Sequence, residues 1–421
     1  MASANLAPLM RASRSTAFWI LAAVLCALLF ASSVPSPLYV VYQQQLDFSA
    51  ITLTGVFAVY ALALLGALLV VGSISDHIGR RPTLLAALVV EIVAMLAFAG
   101  ADGVGWLFAA RILQGLATGT ALGAISAALL DLQPRSNPRL GALMGAVAPM
   151  MGLALGALSA GLLVDHGPDP TRLVFWLLLA AFVLAVLAVL AIPETVNADG
   201  RWRSALRPRL AVPRSMRAPF LAAIPCLIAS WALGGLILSL GGSLTAGVLG
   251  QSSHLAAGLP IFIMAGVSTV TAVRLRETSA RATARGGLIA LIVGVAVALL
   301  ALAVESNLLF LGGAAIAGLG FGPAFAGVFR VLSGLAPVDQ RAALISSVLT
   351  VSYLAFSLPA IAAGAAVTDL GLRETAEIYG VSLIGLAALP LALSGRLDDG
   401  ATREPIPSAV AVSSYPEGCR G

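Results

Sequence analysis

Two ionisable side chains, Arg111 and Glu91, lie inside long apolar stretches of this 421-residue chain. A guanidinium group inside a membrane costs several kcal/mol and cannot be neutralised by losing its proton, so it needs hydrogen-bond acceptors or a wet cavity. A functional role for Arg111 is therefore favoured over a merely packed one. If Arg111 meets Glu91, protonation of the carboxylate would break the pair and could gate a proton.

The role of Glu91 stays open at this point. Its carboxyl group could equally sit protonated at the edge of a helix bundle, and helix lengths put Glu91 and Arg111 at different depths, which argues against direct contact. Gln114 lies three residues after Arg111, on the same helical face. We take Arg111, Gln114 and Glu91 as the candidate proton or substrate pathway.

The composition excludes most soluble functions. Charged residues make up 10% of the chain and hydrophobic residues 59%, with a mean hydropathy of +0.99, whereas soluble domains carry about 25% charged residues. No metalloprotease, nucleotide-binding P-loop or nucleophile-elbow motif is present, and the three histidines lie far apart. We expect neither an enzyme nor a nucleic-acid binder, and no cofactor or metal.

Twelve apolar stretches are long enough to cross a membrane, which takes about 20 residues for a hydrocarbon core of about 30 Å. They must be helices, because lipid offers no partner for exposed backbone groups. The predicted fold is an all-α polytopic membrane protein. The spans are 16–41, 51–74, 83–101, 105–130, 141–163, 173–192, 219–247, 255–273, 287–304, 308–329, 342–367 and 376–394.

The arginines, which are all of the 24 basic residues, predict the orientation. Nearly all lie in the N-terminal tail or in the even-numbered connections, whereas Arg172 and Arg373 lie on the other side. Cytoplasmic loops carry the excess of positive charge, so both termini are expected in the cytoplasm and the protein in the inner cell membrane. The predicted domains are a tail 1–15, a six-helix bundle 16–192, a cytoplasmic linker 193–217, a second six-helix bundle 218–395 and a disordered tail 396–421.

The connection between spans 2 and 3 contains Gly72, Asp76, Gly79 and the pair Arg80 and Arg81. At this spacing it resembles the signature loop of the major facilitator superfamily, G-x-L-x-D-R-x-G-R-R, with His77 where arginine is usual. The resemblance implies two pseudo-symmetric six-helix bundles and a transporter. The matching residues are Gly72, Asp76, Gly79, Arg80 and Arg81.

The resemblance also implies a conformational latch. Asp76 is expected to face the helix N-terminus of span 11, which carries partial positive charge. Arg80 is expected to pair with Asp131 at the foot of span 4. The alternative is that these arginines only set the topology.

Two further runs are similar to signatures of the same superfamily. Arg111 and Gln114 fit its R-x-x-Q-G motif in span 4. Span 5 looks like the G-P-x-x-G signature of drug:proton antiporters, although Ala148 replaces its first glycine. Ordinary small-residue helix packing produces the same spacing, so both interpretations of span 5 stay open. The span 5 residues concerned are Gly145, Pro149, Gly152 and Gly156.

The resemblance implies a central cavity lined by spans 1, 4, 7 and 10. Two prolines, Pro35 and Pro37, should kink or unwind span 1 and expose its carbonyl groups. Besides the span 4 pair, the cavity candidates are Tyr39, Trp231, Phe321 and Tyr353.

Together these features predict a secondary transporter working by alternating access. The partial span 5 signature and the nearly uncharged cavity favour proton-coupled export of a hydrophobic or amphipathic small molecule. Proton-coupled uptake of a small metabolite and a non-transporting membrane sensor are the alternatives. The expected partners are the substrate, protons and the lipid bilayer, and the expected state is a monomer.

Overall fold

The computed structural model describes residues 12–72, 74–196, 210–337 and 340–401. The described chain is all-helical, and twelve of its helices are long and apolar enough to cross a membrane. We name these helices α1 to α12. They are α1 Arg14–Ser33 continued by Pro35–Leu46, α2 Ala50–Val71, α3 Arg80–Ala99, α4 Val104–Leu132, α5 Leu140–His166, α6 Leu173–Leu190, α7 Arg217–Gly247, α8 His254–Arg274, α9 Ala280–Ala303, α10 Asn307–Leu335, α11 Arg341–Leu370 and α12 Leu372–Ala401.

The predicted all-α fold with twelve spans is confirmed, with differences at the helix ends. Helix α1 continues past 41 to Leu46, because Pro35 and Pro37 stand in the first turn of its second segment, where a missing N–H is tolerated. Helix α12 continues to Ala401, although the sequence predicts a disordered tail from 396. No proline interrupts the chain between Pro390 and Ala401. Residues 402–421 and 1–11 of the predicted tails lie outside the described residues.

Two bundles of six helices meet mainly along two helix pairs. In the first bundle α4 packs against α2 and α3, and α1 packs against α5; in the second, α10 packs against α8 and α9. The pairs α2–α11 and α5–α8 join the bundles. Small residues bring helix backbones together, as at Gly119, where a Cβ would lie 2.4 Å from the carbonyl oxygen of Leu64.

The two ends of the molecule carry different connections. We call the end that holds the connection between α2 and α3 the latch face, and the opposite end the far face. At the latch face the start of α1 lies beside the ends of other helices. The amide of Ala12 donates to the carbonyl of Ala191 at 2.9 Å, and the guanidinium of Arg14 donates to the backbone carbonyl of Asp131. Of the predicted linker 193–217, residues 197–209 lie outside the described part.

Candidate functional site

The guanidinium of Arg111 is enclosed inside the first bundle, with 1% of the residue exposed. Its Nε and one terminal nitrogen donate to the hydroxyl of Tyr39, at 2.9 and 2.6 Å. Its other terminal nitrogen donates to the carbonyl of Ser32 at 2.9 Å and to Oε1 of Gln114 at 2.7 Å. The ring of Tyr60 lies 5.1 Å from the guanidinium carbon, close enough for a cation–π contact. The cost of burying this cation is thus offset by acceptors on α1 and α4.

The break in α1 supplies one of the acceptors in this network. The carbonyl of Ala31 would normally pair with the amide four residues later, but that residue is Pro35, which has no N–H. The side-chain nitrogen Nε2 of Gln114 donates to this carbonyl at 3.2 Å. The exposed backbone that the sequence predicts in span 1 therefore binds side chains of α4.

Glu91 and Arg111 are joined through a third side chain. Gln114 accepts from Arg111 and donates from Nε2 to Oε1 of Glu91 at 3.3 Å. Glu91 is fully buried, and its Oε2 has no hydrogen-bond partner in the part of the chain that the structure describes. The carboxyl group therefore lies in the bundle interior, not at an edge. The three residues of the predicted proton or substrate pathway form one hydrogen-bonded chain.

The signature loop gathers charged groups around Arg80 at the latch face. The guanidinium of Arg80 forms an ion pair with Asp76, and its Nε lies 3.6 Å from Oδ2 of Asp131. It also donates to the hydroxyl of Ser75 at 2.6 Å. At the end of α2, Gly72 lies against Gly123 of α4, where a Cβ would be 3.1 Å from the Gly72 carbonyl oxygen.

Asp76 pairs with Arg80 in this structure, and its expected approach to the start of α11 stays a prediction. Its side chain is 55% exposed, and Arg80 of the same bundle holds the carboxylate. The two residues are four positions apart, on either side of the turn at Gly79. In this conformation the ion pairs of Arg80 lie within the first bundle.

Sequence reasoning missed Glu194, which caps α3. Its two carboxylate oxygens accept from the backbone amides of Arg80 and Arg81, at 2.9 and 3.0 Å. The preceding turn depends on Gly79, which has a φ of +105°, a conformation that favours glycine. Two features of the sequence could have indicated this cap: an acidic residue directly after span 6, and a start of α3 at which no neighbouring side chain can act as the cap. Thr195 links the same segment to Asp131, at 3.2 Å.

The glycines of the span 5 signature have different surroundings. A Cβ at Gly152 would lie 2.2 Å from the carbonyl oxygen of Cys26, and one at Gly156 would lie 2.2 Å from that of Phe30. These two glycines therefore allow α5 to pack closely on α1. A Cβ at Gly145 would meet no atom of another helix within 4 Å, so this glycine is not needed for close packing. Pro149 lies inside α5.

Aromatic side chains from both bundles meet near the middle of the molecule. The ring of Trp231 on α7 lies 4.8 Å from that of Tyr353, 5.4 Å from that of Phe325 and 5.9 Å from that of Phe356. Phe57 of α2 reaches across from the first bundle, with its ring 5.0 Å from that of Phe356. We call these five side chains the aromatic cluster.

Two of the predicted cavity residues lie outside this cluster. Phe321 packs against Gly234, where a Cβ would be 2.9 Å from the ring. Tyr39 is 1% exposed and bound to Arg111, so it lies in the bundle interior instead of facing an open cavity. The reason is that a buried guanidinium needs an acceptor, and the broken helix brings the tyrosine hydroxyl to it. Sequence reasoning missed Phe57, Phe325 and Phe356, because no motif marks them.

At the latch face, helices α5 and α8 are separated by a cavity of about 430 Å³. Its wall is formed by residues 137–146, which lead into α5, by 272–277 at and just after the end of α8, by Thr283 of α9 and by 323–330 of α10. Three arginines and one glutamate line this cavity. They are Arg139, Arg276, Arg330 and Glu277.

Solved transporters share this helical arrangement. A bacterial homolog of the human lysosomal transporter Spinster, in an inward-facing and unoccupied conformation, superposes with a TM-score of 0.74 over 92% of this chain and 98% of that one, at 15% identity. The nucleoside transporter NupG superposes with a TM-score of 0.70 over 90% of this chain and 100% of that one, at 14% identity. The human organic anion transporter MFSD10 (TETRAN) superposes with a TM-score of 0.66 over 90% of this chain and 100% of that one, at 16% identity. At these identities the likeness concerns the fold.

Curated fungal relatives match a shorter segment. Citrate exporter 1 of Aspergillus niger is 31% identical over 129 residues, which is 30% of this chain and 24% of that protein. The MFS-type transporter paaT of Penicillium rubens is 27% identical over 128 residues, 30% of this chain and 23% of that protein. The chain thus matches about a quarter of the length of these relatives.

The family assignment rests on a longer match. The sequence profile of the Major Facilitator Superfamily matches residues 18–360, from the start of α1 into α11. This range contains the loop around Arg80, the buried Arg111 with its partners and the seams that join the two bundles. The chain therefore belongs to the Major Facilitator Superfamily.

Proposed function

We propose that this chain is a secondary active transporter that exports a hydrophobic or amphipathic small molecule in exchange for protons. The observation that carries the proposal is the aromatic cluster, which lies where the two bundles meet and contains no charged side chain. Sites for small ligands are mostly apolar and aromatic, with few polar groups. The hydroxyl of Tyr353 and the indole N–H of Trp231 would supply the polar contacts.

The charged groups of the first bundle support the same substrate class. The guanidinium of Arg111 is satisfied by four hydrogen bonds and enclosed. In this conformation it has little capacity left for an anionic substrate. A sugar or a polar metabolite would find few free hydrogen-bonding groups at the aromatic cluster.

The cavity at the latch face supports loading from the cytoplasm. The placement of arginines favours a cytoplasmic latch face, and α5 and α8 are apart on this side. A molecule entering here passes Arg139, Arg276 and Arg330. Nε of Arg276 lies 3.4 Å from Oε1 of Glu277, so one of the three positive charges is paired. This net positive entrance favours amphipathic compounds that are neutral or carry a negative charge.

Glu91 is the proposed proton carrier. It is a fully buried carboxyl group, and Gln114 connects it to the only strongly basic group of the same network, Arg111. Adding a proton to Glu91 changes the charge of the network by one and weakens the attraction to Arg111. The hydrogen bonds that orient Tyr39 and the backbone of α1 would then rearrange, which links protonation to the packing of α1 against α4.

The test uses the purified protein in proteoliposomes with an imposed proton gradient. Three amphipathic dyes of similar size, one neutral, one anionic and one cationic, are followed by fluorescence. We expect the neutral or the anionic dye to move opposite to the protons. Movement with the protons would establish the uptake alternative, and no gradient-driven movement of any dye would favour the sensor.

A variant separates the proton carrier from the rest of the machinery. Glu91→Gln keeps a side-chain oxygen as acceptor for Gln114 but cannot bind the proton. We expect dye movement in this variant to lose its dependence on the proton gradient. The matched control is Glu305→Gln, which changes an exposed carboxylate at the far face and should behave as the unmodified protein. An unchanged pH profile in Glu91→Gln would remove Glu91 from the mechanism.

A further inference from the structure

At the far face, the carboxylate of Asp165 in the last turn of α5 binds the start of α8. Its Oδ1 accepts from the backbone amide of His254 at 2.9 Å, and the ring Nδ1 of His254 lies 2.8 Å from the same oxygen. Its Oδ2 accepts from the hydroxyl of Ser253 at 2.6 Å and from the amide of Leu255 at 2.9 Å. Ser253 stands at the N-cap position of α8 but makes no capping hydrogen bond of its own, so the carboxylate of Asp165 accepts from the first amides of the helix instead.

The two partners of this cap belong to different bundles. A capping residue usually precedes its helix in the chain, so its strength does not depend on how domains are arranged. Here the acceptor lies on α5 of the first bundle and the donors on α8 of the second. The cap exists only while the far-face ends of these two helices touch.

The turns below the cap show how closely the helices touch. Ala157, Gly161 and Asp165 lie four residues apart and so share one face of α5. A Cβ at Gly161 would lie 2.7 Å from the carbonyl oxygen of His254, and one at Gly258 would lie 2.4 Å from that of Ala157. The backbones of α5 and α8 therefore meet without intervening side chains at the far face.

The same two helices part toward the latch face. There the stretch 137–146 and the stretch 272–277 face each other across the cavity of about 430 Å³. The pair thus forms a V whose closed end carries Asp165. Opening the far face and closing the latch face require the arms of this V to rock about its middle.

We infer that Asp165 is the clamp that holds the far face closed, so that it sets the balance between the inward-facing and outward-facing conformations. This inference rests on the proposed alternating access. A far-face opening must break all four contacts of the carboxylate at once, and bonds to a charged acceptor are stronger than neutral ones. The partial positive charge at the start of α8 adds to the attraction.

The experiment measures the conformation directly and needs no substrate. Spin labels are attached to Pro168→Cys and Ser252→Cys, two exposed positions beside the clamp, after Cys26, Cys226 and Cys419 are replaced by serine. Distances between the labels are measured by pulsed EPR in lipid nanodiscs. In Asp165→Ala we expect the ratio of long to short distances to rise at least about tenfold over the reference protein.

Graded variants keep the inference testable if Asp165→Ala fails to fold. Ser253→Ala removes one of the contacts, and Asp165→Asn leaves one acceptor oxygen, so each should shift the ratio in the same direction by a smaller factor. Asp169→Asn changes an exposed carboxylate four residues later and should leave the distances unchanged. Distances in Asp165→Asn and Ser253→Ala that equal those of the reference protein would overturn the clamp.

The outcome is separable from that of the proposed function. A shifted distance ratio with no dye transport would leave the clamp standing and overturn the export proposal. Dye transport with an unshifted distance ratio would leave the export proposal standing and overturn the clamp.

Discussion

Gly79 lies directly beneath the carboxylate of Glu194. A Cβ at this glycine would be 2.6 Å from Oε2 of Glu194, so a side chain here would push away the cap of α3. The glycine also holds a φ of +105°, which other residues adopt only at a cost of about 1–3 kcal/mol. The turn and the cap therefore depend on the same position.

Gly79→Ala should lower the thermal unfolding midpoint of the purified protein by several degrees, because it adds backbone strain and displaces Glu194. Gly66→Ala is the matched control, since a Cβ at Gly66 meets no atom within 4 Å. The control should keep or slightly raise the midpoint of the unmodified protein, because alanine is favoured over glycine inside a helix. Equal midpoints for both variants would mean that the turn relaxes at no cost.

Tyr39→Phe should destabilise the first bundle and reduce transport. It removes the hydroxyl that accepts two hydrogen bonds from Arg111, and each buried donor left without a partner costs about 1–3 kcal/mol. Tyr42→Phe is the control, because that hydroxyl makes only a 3.4 Å contact with the carbonyl of Thr171. Thermal unfolding and dye transport measure both variants, and identical behaviour would contradict the role given to Tyr39.

Trp231→Ala should raise the half-saturating concentration of the transported dye about tenfold, which corresponds to about 1.4 kcal/mol of binding. The indole contacts three rings of the aromatic cluster. Trp176→Ala removes an indole that is 51% exposed on the outside of the molecule and should leave the half-saturating concentration unchanged. An unaltered value in Trp231→Ala would place the substrate elsewhere.

Asp76→Asn should impair transport without lowering the abundance of the protein. In its ion pair with Arg80 the carboxylate of Asp76 is 55% exposed, and ion pairs screened by solvent contribute only about 0–1 kcal/mol to stability. The proposed latch, by contrast, needs the charge when α11 approaches in another conformation. Asp102→Asn, at an exposed position on the far face, should leave both quantities unchanged; full transport in Asp76→Asn would remove this residue from the latch.

Hydropathy was sufficient to predict the twelve helices, because lipid leaves no other way to satisfy the backbone. The ends of the helices were harder to predict from the sequence. Pro35 and Pro37 predict a kink or an unwound stretch before span 1 ends at 41, and in the structure they begin a second helical segment that reaches Leu46. Proline can stop a helix or start one, and the next neighbour in space decides between the two.

The buried arginine could be singled out from its cost alone, whereas its partners could not be named. Whether Glu91 reaches Arg111 depends on the offset between α3 and α4 along their axes, which the sequence does not contain. Gln114 bridges that offset. The capping role of Glu194 was not predicted, because this residue lies more than a hundred positions from the helix that it caps. Only the packing of the bundle brings the two together.

The binding of Arg111 and Gln114 by α1 has a consequence for how this protein can vary. The carbonyl oxygen of Ser32 accepts from Arg111 and that of Ala31 from Gln114, and both oxygens are present whatever side chain the two positions carry. The irreplaceable part of the contact is instead the ring of Pro35, which keeps one of those oxygens free. Pro35, Arg111 and Gln114 should therefore be inherited together as one unit, because a change in any one of them breaks the contact between α1 and α4.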